Sequence, residues 1–396
     1  MNPYLKNLEQ YPFERLDTLK SCLEPKTTQP HISLALGEPK HDPPESVVYL
    51  LSSREMVIQG LSSYPTTRGT LELRQAISDW NLKRYDISLD PYTQVLPVNG
   101  TREALFSFGQ AVLSGKEGSR VVFPNPFYQI YEGAALLRGA QPYLVPNTEA
   151  PIYQEVPNEI WEQTELVYIC SPNNPSGHVM DSEDLSFLIH QALEYDFVIA
   201  SDECYSEIYY DENHPPNGLL EVARSVGNPE FTNCVAFNSL SKRSNLPGLR
   251  SGFVAGDKAL VAQYYQYRTY HGCAMSTHSQ AASKWAWSDE AHVVENRAIY
   301  REKFRATRKI LEQTLDIHQP EGGFYYWPLL PVDDQEFAAQ LYVHENITVL
   351  PGSYLGRSFG AGNPGLNRVR LALVAPLEEC INAITRLCEF LQKVKS

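Results

Sequence analysis

The sequence predicts an α/β protein, in which a large unit built on a mostly parallel sheet of about seven strands is joined to a smaller α+β unit. Three observations carry this. From Val95 onward, short apolar runs alternate with segments of helical period, the pattern of successive βαβ units. Past residue 289 the alternation yields to long charged or amphipathic helical patterns separated by isolated short strands. The 396 residues, 43% hydrophobic and 20% charged, suffice for two folded units of ordinary globular composition. The expected division is a large unit, 36–288, and a small one, 289–396 together with an N-terminal arm, 1–35.

In chain order, Tyr4 to Leu23 reads as arm and short helix, and Ile32 to Leu36 as a strand ending at Gly37-Glu38-Pro39. Prolines 39, 43 and 44 break regular structure before a helix that starts at Glu45. Gly69 precedes a helix from Thr70 to Tyr85. The expected sheet strands are Val95–Val98, Arg120–Phe123, Tyr143–Val145, Leu166–Ile169, Phe197–Ala200, Cys234–Phe237 and Phe253–Ala255. Helices are expected from Thr101 to Leu113, Tyr128 to Arg138 and Ser182 to Tyr195. The remainder reads as a charged helix from Asp289 to Leu315, a strand in E-G-G-F-Y-Y-W-P, helix Asp334–Glu345, strands Thr348–Leu350 and Arg368–Val374, and a final helix Leu377–Val394.

A net charge of −14 with no basic tract argues against nucleic-acid binding or attachment to an anionic membrane. No apolar run approaches the ~20 residues that span a bilayer, and the first residues lack a signal-type apolar core, so a cytoplasmic location is expected. The seven cysteines are scattered without a C-x-x-C pair, which suggests neither a metal site nor a disulfide framework.

The chemistry concentrates in Asn238 to Gly252, N-S-L-S-K-R-S-N-L-P-G-L-R-S-G. Lys242 follows directly from an apolar strand, the place where open α/β sheets bind ligands. Shielding or cationic neighbours, among them Arg243 and Arg250, would lower its pKa from about 10.4 far enough for imine chemistry. Ser239, Ser241 and Arg250 supply what a phosphate ester needs. An imine-forming lysine beside a phosphate cradle suggests pyridoxal phosphate. Other strand ends add Asn99-Gly100-Thr101-Arg102, a glycine turn opening a helix whose N–H groups suit phosphate, then Asn174 in C-S-P-N-N-P-S-G, and Asp202 and Tyr205 in S-D-E-C-Y. A carboxylate at the pyridine nitrogen and donors at the ring hydroxyl are what such a cofactor requires.

Taken together, these motifs resemble the class I and II aminotransferases of fold type I, in the family's order and over nearly the whole chain. The resemblance implies a homodimer with shared active sites, in which Tyr64 reaches the phosphate of the neighbouring subunit's cofactor. It implies further that Gly100, Thr101, Arg102, Ser239, Ser241 and Arg250 surround the phosphate and that Tyr128, in P-F-Y-Q-I-Y, stacks on the ring. Asp202 would meet the pyridine nitrogen, Asn174 and Tyr205 the ring hydroxyl, and Lys242 the aldehyde. Gly37 and Asn174 would lie at the substrate, and Arg370, in N-R-V-R-L-A-L, would grip its α-carboxylate. Arg368 competes for that role, since strand alternation puts both arginines on one face. The fold also serves decarboxylases and C–S lyases; a carboxylate grip favours transamination. Tyr267 to Ala282, with W-S-D-E-A-H-V-V-E-N-R and Y-R-E-K-F, resembles the bacterial succinyldiaminopimelate aminotransferases of lysine biosynthesis. That implies N-succinyl-L,L-diaminopimelate and 2-oxoglutarate as substrates, and an extra cation for the distal carboxylates from among Arg268, Arg102, Arg243 and His271.

Overall fold

The protein, a computed structural model, is described over residues 1–146, 150–360 and 362–395. Seven strands form the central sheet: β1 (Val95–Val98), β2 (Arg120–Asn125), β3 (Gln141–Pro146), β4 (Thr164–Cys170), β5 (Val198–Asp202), β6 (Cys234–Ser239) and β7 (Gly252–Gly256). Their order is β1-β7-β6-β5-β4-β2-β3. The pairs β6·β5, β5·β4, β4·β2 and β2·β3 are parallel, and β7 runs antiparallel to both neighbours.

Both faces of this sheet are covered, which is why its strands read as continuous apolar runs. Alternate residues feed two cores. Val167, Ile169, Ile199, Ala236 and Phe253 pack with helices Leu71–Tyr85, Ser182–Tyr195 and Thr277–Ser288. Leu166, Tyr168, Ala200, Val235, Phe237 and Val254 pack with Thr101–Val112, Ile130–Leu137 and Lys258–His271. A further core joins Ile32 and Leu34 to helices Ala291–Leu311, Asp334–Glu345 and Leu377–Lys395, and it also takes in Tyr205 and Ile208 beyond the end of β5.

Several expected strands are shorter than their apolar runs. Ile32–Leu36 pairs only at Ile32–Ser33, parallel to Ile347–Thr348. Leu36 and Gly37 leave the strand for the wall of a cavity. Thr348–Leu350 is not one strand: the chain changes sheets at Val349, so that Leu350–Pro351 pairs with Val369 and Arg370. From E-G-G-F-Y-Y-W-P only Tyr325–Tyr326 forms a strand, against Leu371 and Ala372, while Gly322 makes an isolated bridge to Tyr209. The charged helix runs Ala291–Leu311.

Candidate active site

A cavity of about 640 Å³ opens at the C-terminal ends of β4, β5 and β6. Its wall brings together Gly37, Thr101, Arg102, Tyr128, Asn174, Asp202, Tyr205, Ser239, Ser241, Lys242, Arg250 and Arg370, residues far apart in sequence. Gly100 stands just behind Arg250. Tyr64 is not part of this wall; its side chain is 100% exposed on the surface.

Lys242 is carried on a single helical turn, Leu240–Arg243, that begins where β6 ends. Its amine donates to the carbonyl of Gly37. Burial lowers its pKa to about 8, helped by Arg370 and Arg250 and opposed by Cys204 and Glu38. Arg243, read as a cationic neighbour, does not serve as one. It points away, fully buried between Trp80 and Trp287, bonded to Glu290 and to the carbonyl of Ala286.

Asp202 closes β5 and is 5% exposed. The Tyr131 hydroxyl donates to Oδ2 at 2.8 Å and the Cys204 amide to Oδ1 at 3.3 Å. Burial raises the carboxyl pKa, against these hydrogen bonds and the charge of Lys242. A buried carboxylate whose neighbours are mostly neutral is suited to a cationic group entering the cavity. Tyr205 shares a hydroxyl hydrogen bond with Tyr325 at 2.8 Å, and burial holds its phenol well above its ordinary pKa.

The opposite wall is cationic. Arg370 is 4% exposed, donating to Asn174 Oδ1 at 2.9 Å and to the Ala35 carbonyl at 2.7 Å, with its guanidinium 4.5 Å from the Tyr325 ring centre. Just before the strand Val369–Ala372, Arg368 forms an isolated antiparallel bridge with Leu329. It donates to the Trp327 carbonyl at 2.9 Å and faces a separate cavity of about 560 Å³. The geometry therefore separates two arginines that spacing left equivalent.

At the far end, Gly100 has φ +83°, and a Cβ there would stand 2.5 Å from Arg250 Nη2. Only glycine lets the guanidinium come against the turn. No side chain caps the helix Thr101–Val112, so its first N–H groups, Arg250 and the Ser239 and Ser241 hydroxyls converge as an anion cradle. One cavity thus holds an anion cradle, a shielded amine, a buried carboxylate and a buried arginine. That donor set fits a flat phosphorylated heteroaromatic aldehyde with an amino acid above it.

Sequence reasoning passed over Cys204, Tyr131 and Tyr325. Cys204 Sγ lies 2.8 Å from Thr101 Oγ1 and 3.6 Å from Ser239 Oγ. The first two stand in motifs already singled out, S-D-E-C-Y and P-F-Y-Q-I-Y, whereas nothing local to E-G-G-F-Y-Y marks Tyr325. Of the four cations considered for distal carboxylates, Arg243 and Arg268 are buried in ion pairs with Glu290 and Glu103. His271 is exposed at a helix end, and Arg102 lines the cavity.

Residues 29–387 match the family model described as aminotransferase class I and II. The LL-diaminopimelate aminotransferase of Aquifex aeolicus is 31% identical over 395 residues, 97% of each chain. An aminotransferase structure from Neisseria meningitidis is 44% identical, with TM-score 0.93 over 99% of this chain and 100% of that one. A probable N-succinyldiaminopimelate aminotransferase from Thermus thermophilus is 25% identical, with TM-score 0.82 over 96% and 99% of the two chains.

Proposed function

Because the chain belongs to the class I and II aminotransferases, and is therefore a pyridoxal-phosphate-dependent transaminase, we propose that it exchanges the amino group of N-succinyl-L,L-diaminopimelate with 2-oxoglutarate. The observation that carries the site assignment is the placement of Arg370 and Lys242 in one cavity with Asp202 buried between the strand ends. When bound, the cofactor supplies an electron sink for the α-carbanion. In this reading Asp202 keeps the pyridine nitrogen protonated, and Asn174 and Tyr205 hold the ring hydroxyl. The backbone N–H groups of the Gly100–Arg102 turn, Ser239, Ser241 and Arg250 hold the phosphate, which leaves the Arg102 guanidinium free, and Tyr128 covers the ring. Arg370 clamps the α-carboxylate so that the Cα–H bond is the one presented to Lys242, whose neutral amine takes the proton and returns it one atom away. Its lowered pKa makes that neutral form accessible near pH 8.

The same proposal takes the enzyme as a cytoplasmic homodimer in which Tyr64 completes the partner's phosphate site, with the chain divided at residues 36 and 289. Among the described residues no helix is long and apolar enough to cross a membrane. Support for the substrate comes from the Thermus likeness and from Arg102, the candidate cation left facing the cavity. The Aquifex likeness favours a second reading, with unmodified diaminopimelate as donor. A kinetic panel separates them. Succinylaminooxopimelate with glutamate is expected to give the highest kcat/KM, and Arg102→Gln to raise KM for the succinylated substrate about tenfold while leaving glutamate within about twofold. A highest kcat/KM for unmodified diaminopimelate, aspartate or an aromatic amino acid would refute the substrate assignment.

A further inference from the structure

Lys303 is a charged side chain that the reaction does not use. It is 1% exposed in the helix Ala291–Leu311, and among the described residues no ion pair involves it. Its ammonium donates to the Val374 carbonyl at 3.3 Å and meets His41 Nε2 at 2.7 Å. His41 Nδ1 lies 3.0 Å from Asn296 Oδ1. Asn296 Nδ2 reaches the carbonyls of Lys242 and Arg243, at 3.0 and 3.2 Å.

The donor and acceptor inventory gives this chain a direction. Burial lowers the Lys303 pKa to about 8, and below that value the ammonium has no acceptor, so His41 Nε2 accepts from Lys303 and its Nδ1–H donates to Asn296 Oδ1. With its oxygen engaged, the Asn296 amide can turn only its NH₂ toward the two carbonyls. Burial and the nearby Lys303 charge both lower the His41 pKa, which keeps the ring neutral, as this order of donors requires. The turn that bears Lys242 is one helical turn long, too short to satisfy its own C-terminal carbonyls. Asn245 ties the same turn to the Gly37 segment by donating to the carbonyls of His41 and Asp42.

We propose that Asn296, oriented by His41 and Lys303, is a positioning residue that fixes the backbone under Lys242 and so aims its amine. This rests on the reading of Lys242 as the cofactor lysine. Misplacing a reacting group by about 1 Å costs up to about a hundredfold in rate. The expected effect of Asn296→Ala or Lys303→Met is therefore a fall in kcat of about tenfold to a hundredfold, with KM for glutamate changed less than about threefold.

The test adds a spectroscopic readout, the pH titration of the visible absorbance of the cofactor-loaded protein. Its midpoint should move in Asn296→Ala and Lys303→Met and stay in His41→Gln, which keeps a donor and an acceptor on one side chain. If Asn296→Ala fails to fold, comparing His41→Gln with His41→Leu decides the matter, with only the leucine variant expected to shift. Unmoved midpoints and kcat alongside a lowered Tm would make the chain merely structural and overturn the proposal. Absence of a visible band that depends on Lys242 in the wild-type protein would instead remove the reading beneath it.

Discussion

Lys242 has an ordinary pKa of 10.5, and burial in the cavity brings it to about 8. The sign of the consequence follows from linkage. Between these two values the unfolded chain binds a proton that the native chain does not, so the cofactor-free protein gains stability as pH rises from about 8 toward 10.5. Over the same span the amine becomes a nucleophile. Labelling of Lys242 in the cofactor-free protein with an amine-reactive reagent should accelerate through a midpoint near pH 8. A midpoint at the ordinary lysine value would show that the cavity does not shield the amine. At this scale the sequence singled out Lys242 and Asp202 from strand ends far apart in the chain, and the fold brings both to one cavity. It was silent on Tyr325, whose role comes from touching Tyr205 and Arg370 across the fold, and it could not separate Arg370 from Arg368, which the fold turns toward two different cavities.

Among the elements, the turn carrying Asn174 and the strand carrying Tyr325 are clasped backbone to backbone. The Gly322 amide donates to the Gly177 carbonyl at 2.9 Å, and Glu321 accepts from the Val179 amide at 2.8 Å and pairs with His178 at 2.9 Å. Gly177 has φ +75°, and a Cβ there would stand 2.5 Å from Pro320 Cβ and 2.7 Å from the Gly322 carbonyl. Gly177→Ala is therefore expected to cost about 1–3 kcal/mol of stability. By shifting Asn174 off Arg370 it should also raise KM for glutamate several-fold; denaturant midpoints and KM measured on one preparation check both. An unchanged KM would mean that the clasp does not position Asn174. The central strands were legible because burial on both faces leaves uninterrupted apolar runs. Helix Lys258–His271 was not, because Y-Y-Q-Y-R-T-Y-H spreads tyrosines around the cylinder and buries only Val261, Tyr264 and Arg268. Val349, where the chain changes sheets, carries no local mark of doing so.

For the whole molecule, Tyr64 stands outside the cavity of its own chain, and the proposal places it at the partner's. In this chain Tyr49, Leu61 and Tyr64 are exposed apolar side chains on one segment, as an interface between copies would supply. Hybrid dimers of Tyr64→Phe and Lys242→Ala subunits should regain one working site of the two, read as activity above either parent. No recovery would place Tyr64 outside the neighbour's site. The central claim, that Lys242 is the residue bonded to the cofactor, has a more direct test. Borohydride reduction of the loaded wild-type protein, followed by peptide mass mapping, should leave a single phosphopyridoxyl group on the peptide containing Lys242 and none on Lys242→Ala. A label on Lys303 or any other lysine, or a Lys242→Ala protein that is still trapped, would contradict the account.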